Sequence, residues 1–117
     1  MRKRFDKIAK LGEKHLLLKP DHNIGSHLQK LTEEIGELAQ SINKLTDLKS
    51  FSKNETIEDV KRNILEEVAD CNQILFIIAH LAGFTYDDVD GEVGLKNKSY
   101  KKFIKKLEMK YGKKSDG

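Results

Sequence analysis

The sequence predicts an all-α fold, a helical bundle built on two long antiparallel central helices and completed by oligomerisation. Three observations lead there. Ile24, Leu28, Leu31, Ile35, Leu38, Ile42 and Leu45 follow one another at steps of three and four residues, the spacing that keeps apolar side chains on one helix face. Ile57, Val60, Ile64, Val68, Cys71, Leu75, Ile78 and Ala82 repeat the pattern further on. One proline and no tryptophan accompany abundant Lys, Glu, Leu and Ile, a composition that favours helix over sheet.

A length of 117 residues suits one domain. Its parts are a basic N-terminal segment (1–22), a central hairpin (24–83) and a basic C-terminal helix (96–111). Only 38% of the residues are hydrophobic, and a chain this short buries a limited share of its surface, so a second copy is expected to help complete the core.

Element by element, a short basic helix is expected over 2–14 through Phe5, Ile8 and Leu11. Gly12 and Pro20 punctuate the chain beyond it, and residues 22–25 read as a turn or loose approach to the next helix. The first central helix covers roughly 24–48. The polar residues 49–55 break the pattern, and Asn54 or Thr56 can cap the second central helix, which covers roughly 56–83 with Glu58 and Asp59 in its first turn. Apolar residues surround this helix from 74 to 79, which predicts burial on all sides, partly against a partner subunit. Gly83 ends it. Thr85 and Asp88 have the spacing of a capping box and start a short helix, which Gly91 and Gly94 are expected to interrupt. A last helix places Tyr100, Phe103, Ile104, Leu107 and Tyr111 on one core-facing side, and residues 112–117 read as a frayed tail.

Charge is plentiful, at 35% Asp, Glu, Lys and Arg, but the net charge is only +3. Residues 96–114 hold nine lysines and one acid, Glu108, whereas residues 33–70 hold the tightly spaced acids. A single cysteine, Cys71, excludes an intrachain disulfide and a multi-cysteine zinc site and suits a reducing cytoplasm. Cys71 falls on the apolar stripe and reads as a buried core residue. No signal peptide is evident, and the longest apolar run is too short to span a membrane.

Two acidic clusters carry the chemistry, Glu33-Glu34-Ile35-Gly36-Glu37 and Glu66-Glu67-Val68-Ala69-Asp70. Each contains an acid-x-x-acid step, which puts two carboxylates on neighbouring turns of one face. At roughly 100° per residue, Glu34 and Glu37 lie about 70° and 130° to one side of their stripe, and Glu67 and Asp70 about 60° and 120° to the same side of theirs. Antiparallel packing brings edges of the same hand together, and the midpoint between the clusters falls near Ser52, inside the connector. All four acids therefore line one side of the hairpin at one level. Such crowding is unfavourable without a cation. An oxygen-only ligand set suits magnesium, with manganese as a substitute. A ferritin-like di-iron centre expects Glu-x-x-His pairs, which neither cluster has. His15, His22, His27 and His80 are scattered and read as ordinary surface or core residues.

The run from Leu31 to Ala39, Leu-Thr-Glu-Glu-Ile-Gly-Glu-Leu-Ala, followed by Glu66-Glu-Val-Ala-Asp70, resembles the EExxE…ExxD signature of the MazG-like, all-α nucleoside triphosphate pyrophosphohydrolases, over about residues 24–83. The resemblance implies hydrolysis of a nucleoside or deoxynucleoside triphosphate to the monophosphate and pyrophosphate by a magnesium-dependent homodimer or homotetramer. It makes Glu34, Glu37, Glu67 and Asp70 the metal ligands, and Glu33 the base or orienting group for the attacking water, with Glu34 able to share that role. It points to Lys96, Asn97, Lys98 and Lys102 as phosphate contacts, although the family often has arginine where this chain has lysine. The alternative is a non-enzymatic nucleic-acid-binding helical module that uses the basic C-terminal helix, whose phosphate contacts would be salt-sensitive. A third reading is a helical oligomerisation partner without catalysis.

Overall fold

The computed structural model describes residues 1–47 and 51–112. The expected tail beyond residue 112 and the first residues of the predicted connector lie outside the described residues. Among the described residues there are four helices and no strand: α1 (Arg2–Leu18), α2 (Ile24–Thr46), α3 (Ile57–Leu81) and α4 (Tyr86–Tyr111). None of the four is by itself long and apolar enough to cross a membrane. The chain divides into two compact units, Met1–Gly83 and Phe84–Gly117.

In the first unit, α2 and α3 form an antiparallel hairpin, and each starts at a reciprocal cap. Asn23 Oδ1 accepts from the backbone N–H groups of Gly25 and Ser26, and Ser26 Oγ accepts from the N–H of Asn23. The Asn23-to-Ser26 stretch, expected as a loose approach, is thus a firm helix start. At α3, Thr56 takes the capping role: its Oγ1 accepts from the N–H of Asp59, and Asp59 Oδ2 accepts from the N–H of Thr56. Each satisfies donors that a helix start leaves unpaired. Asn54 instead adopts a left-handed turn, φ 68°. Near the connector end of the hairpin, Lys44 Nζ lies 3.1 Å from Glu55 Oε1, which also accepts from the N–H of Ser52. Those two donors, the backbone one first, hold the Glu55 carboxyl below its ordinary range. Gly83, at φ 96°, closes the far end of α3 in the left-handed region that glycine tolerates.

The α2–α3 seam is not the apolar stripe itself. The buried positions of α2 are His27, Leu31, Glu34 and Ser41, while Leu28, Ile35 and Ile42 from the stripe are about half exposed. On α3, Val60, Ile74 and Ile77 are buried, and Leu65, Val68 and Leu75 are about half exposed. The helices have turned toward the acids, which leaves one apolar edge in the open. At roughly 100° per residue, that edge lies on the opposite side of the seam from Glu37 and Asp70. Burial of residues 74–79 on all sides is accordingly not seen within this chain, where Leu75 is 51% exposed.

Helix α1 packs on α3 through Phe5, Ala9 and Gly12, a stripe at spacings of four and three. Phe5 meets the ring of Phe76 edge to face at 5.1 Å. Gly12, expected as punctuation, is a contact: a Cβ there would sit 3.0 Å from Ile77 Cγ2. His80 Nε2 lies 2.6 Å from Glu13 Oε1 and joins the same two helices. The helix runs past the expected limit at residue 14 to Leu18.

The second unit is dominated by α4, which begins at the expected capping box of Thr85 and Asp88. It is one continuous helix through Gly91 and Gly94, in place of a short helix, a break and a helix at 96–111. A helical glycine costs about 1 kcal/mol relative to alanine, which weakens a long capped helix without breaking it. No residue of α4 is buried, so Tyr100, Phe103 and Tyr111 are exposed and do not form the expected core face.

Candidate metal centre

The antiparallel register brings the two acidic clusters to one level. Glu34 of α2 and Glu67 and Asp70 of α3 each offer a ligand atom within 4.8 Å of the others, the one such group among the described residues. Glu34 is only 5% exposed although it carries a charge. Lys30, one turn earlier, reaches its Oε1 at 3.0 Å. Asp70 is exposed, and Glu67 lies between these extremes.

Electrostatics identify Glu67 as the strained member. Its Oε2 is buried and has no hydrogen-bond donor. Crowding by Glu34, then burial, then Glu37 push its carboxyl up to about 7. A hydrogen bond from Glu67, aided by Lys30, holds the Glu34 carboxyl below its ordinary range. As an ion, Glu67 faces other carboxylates with nothing to donate to it. Retaining a proton removes that conflict, and so does a cation. Donor type, spacing and the orphaned oxygen all fit a hard divalent ion held by Glu34, Glu67 and Asp70.

The other acids take different places. Glu37 is exposed and close enough to hydrogen-bond Glu67, so it borders the trio without joining it. Glu33 is 68% exposed and lies 3.8 Å from Lys30. Glu66 turns outward to Arg62, at 3.1 Å. Lys96, Asn97, Lys98 and Lys102 are exposed residues of α4 in the second unit. Cys71 is half-buried on the seam side of α3, where burial pushes its thiol up.

Glu34 and Asp70 open into a cleft of ≈ 320 Å³ lined also by His15, His27, Lys30, Gln73, Ile74 and Ile77. Two isoleucines form its apolar wall and Lys30 supplies a cation beside the acids. Sequence reasoning misses Lys30, His15, His27 and Gln73 as cleft residues. Lys30 and Gln73 carry a usable signal, each standing within four residues of an acid on the same helix. His15 comes from α1, whose docking no spacing in the sequence reports.

Comparison of the chain with family models, with curated proteins and with solved structures returned no match.

The Glu67 shift has a thermodynamic consequence. Unfolded, the group releases its proton near its ordinary value of 4.5; folded, it keeps the proton up to about 7. The folded state therefore binds more protons between those values, and the associated stability is complete below the lower value and lost as pH rises through the upper one. The depressed Glu34 carboxyl acts in the opposite sense at lower pH, where its contribution is lost as pH falls. Melting temperatures measured with a chelator should therefore drop between about pH 5 and 7.5, and added magnesium should restore most at the upper end. A flat or rising profile would show that Glu67 is not crowded in this way.

Proposed function

We propose that the chain is a magnesium-dependent pyrophosphohydrolase that converts a nucleoside or deoxynucleoside triphosphate to its monophosphate and pyrophosphate. The observation that carries the reading is the convergence of Glu34, Glu67 and Asp70, drawn from two acid-x-x-acid motifs, with Glu34 and Asp70 on the wall of a cleft of ≈ 320 Å³. The resemblance of those motifs to the MazG-like signature supplies the reaction.

In this reading Glu34, Glu67 and Asp70 hold the ion, with Glu37 beside them, and manganese can replace magnesium. The ion, when bound, neutralises charge on the triphosphate and lowers the pKa of water. Every other role falls to the chain. Lys30 keeps Glu34 ionised and presents an ammonium group to phosphate oxygens in the cleft. Ile74 and Ile77 keep bulk water from one wall. Glu33, exposed beside Lys30, accepts the proton of the attacking water, and the bond between the α-phosphorus and its bridging oxygen to the β-phosphorus breaks. The assignment of Lys96, Asn97, Lys98 and Lys102 as phosphate contacts rests on the resemblance alone. Incubation with a panel of NTPs and dNTPs plus magnesium tests the assignment, with monophosphate and pyrophosphate as the expected products. Release of orthophosphate, or of nothing, from every substrate would overturn it.

The same reading includes a homo-oligomer. The half-exposed edge of Leu28, Ile35, Ile42, Leu65, Val68 and Leu75 is the kind of contiguous apolar surface that a partner covers, and the MazG-like resemblance makes that partner a second copy. Ile35→Glu or Val68→Glu should shift the mass in light scattering from a dimer or tetramer to a monomer. An unchanged mass would place the interface elsewhere.

One observation favours a second reading. Tyr100 and Phe103 are exposed, pack at 6.3 Å between ring centroids and stand among the exposed lysines of α4, an arrangement suited to stacking and phosphate contacts. Gel-shift titration with single-stranded nucleic acid should then show affinity that falls steeply with salt, and no shift at low salt would dispose of this reading.

A further inference from the structure

Three of the four histidines gather where α1 turns into α2. His15 sits in the last turn of α1. The N–H of His22 donates to the carbonyl of Lys19 at 2.9 Å, and this turn folds the His22 ring back onto His15. His15 Nε2 and His22 Nδ1 are hydrogen-bonded at 3.2 Å, a contact that a metal ion bound to both would replace. His27, in the first turns of α2, places its ring centroid 5.4 Å from that of His15.

One feature suits a ligand and a second asks for one. The 3.2 Å separation fits two imidazoles bound to one ion, since metal–nitrogen bonds of about 2.0–2.1 Å in a tetrahedral arrangement put the nitrogens roughly 3.3 Å apart. His27 is 5% exposed, and its Nε2 is buried without a hydrogen-bond partner, a state that buried polar groups rarely keep. Burial, then the neighbouring His15 and His22, disfavour the charged form of His27 and leave the neutral imidazole that ligates metals.

We propose that His15 and His22, with His27 as a third ligand, form a cation site separate from the carboxylates and selective for a borderline transition ion such as zinc, cobalt(II) or nickel. Imidazole nitrogen suits these ions, whereas carboxylate and water oxygens suit magnesium. The His15–His22 pair already stands at ligand spacing. The three histidines do not bring their nitrogens within 4.8 Å of one another as the carboxylate trio does, so the third bond requires the His27 ring to shift toward the pair. Because His15 and His27 line the same cleft as Glu34 and Asp70, the ion pins the end of α1 to the start of α2 beside the candidate metal centre. The proposal stands on the histidines and does not depend on the hydrolase reading.

Calorimetric titration of the full chain with zinc, in excess magnesium to occupy the carboxylates, tests it. One zinc per chain is expected. His15→Ala and His22→Ala, at positions outside the core, should each weaken binding at least about 10-fold, with circular dichroism unchanged, and Asp70→Asn should leave it intact. Cobalt(II) should give a visible absorption band that disappears in the double variant. Absence of zinc binding, its survival in the double variant, or its loss on Asp70→Asn alone would overturn the proposal.

Discussion

Asp70→Asn should lower magnesium-dependent triphosphate hydrolysis by at least about 100-fold and leave the helical content unchanged. Asp70 is the exposed member of the trio, so the fold has little invested in it. Asparagine keeps the shape and one oxygen but removes the charge that balances a divalent ion. Glu67→Gln separates metal loss from fold damage in a second way. Its amide can donate to Glu34 as the protonated carboxyl does, so the metal-free variant should lose the stability drop seen near neutral pH while losing activity as well. Asp70→Asn activity within a few-fold of the parent would remove this residue from the centre.

Phe5→Ala should produce the largest loss of stability of any single truncation, about 3–5 kcal/mol, or a fall in melting temperature of roughly 15 °C. Phe5 is 2% exposed and meets Phe76 edge to face. The other buried positions of α1 are Ala9 and Gly12, residues too small to compensate, while Leu17 and Leu18 are exposed. Removing the ring leaves a cavity where α1 meets α3, and it loosens the helix that carries His15 into the cleft. Denaturant titration followed by far-ultraviolet circular dichroism gives the free energy, and a change below about 1 kcal/mol would mean that α1 is not anchored through Phe5.

The two central helices are legible in the sequence because their information is local: apolar steps of three and four, acids in the first turn of α3, and the cap at Thr56. The acids are legible for the same reason, since a spacing of three needs no tertiary knowledge. Their meeting on one side of the hairpin is legible from the spacing as well, but which three of the four close up is not. That depends on the rotation of α2 against α3, and the helices turn so that Glu34 lies in the seam and Leu28, Ile35 and Ile42 lie outside it. Amphipathic periodicity locates an apolar face but does not say which edge of it a partner takes. Gly12 misleads because a small residue at a helix–helix contact and a helix breaker look alike in sequence. Gly91 and Gly94 mislead because glycine lowers helix stability without forbidding the helix. The histidine cluster leaves only a weak trace, three of four histidines within residues 15–27. It forms across a chain reversal that no helical period connects.

Magnesium calorimetry near pH 6.5, repeated in buffers of different ionisation enthalpy, bears most directly on the carboxylate centre. Glu67 still holds its proton over much of that range, so binding at Glu34, Glu67 and Asp70 must expel it. The expected result is saturable binding with up to about one proton released per chain, abolished by Asp70→Asn. Binding without proton release, binding unchanged in Asp70→Asn, or no binding would contradict the assignment of these three carboxylates as the metal centre.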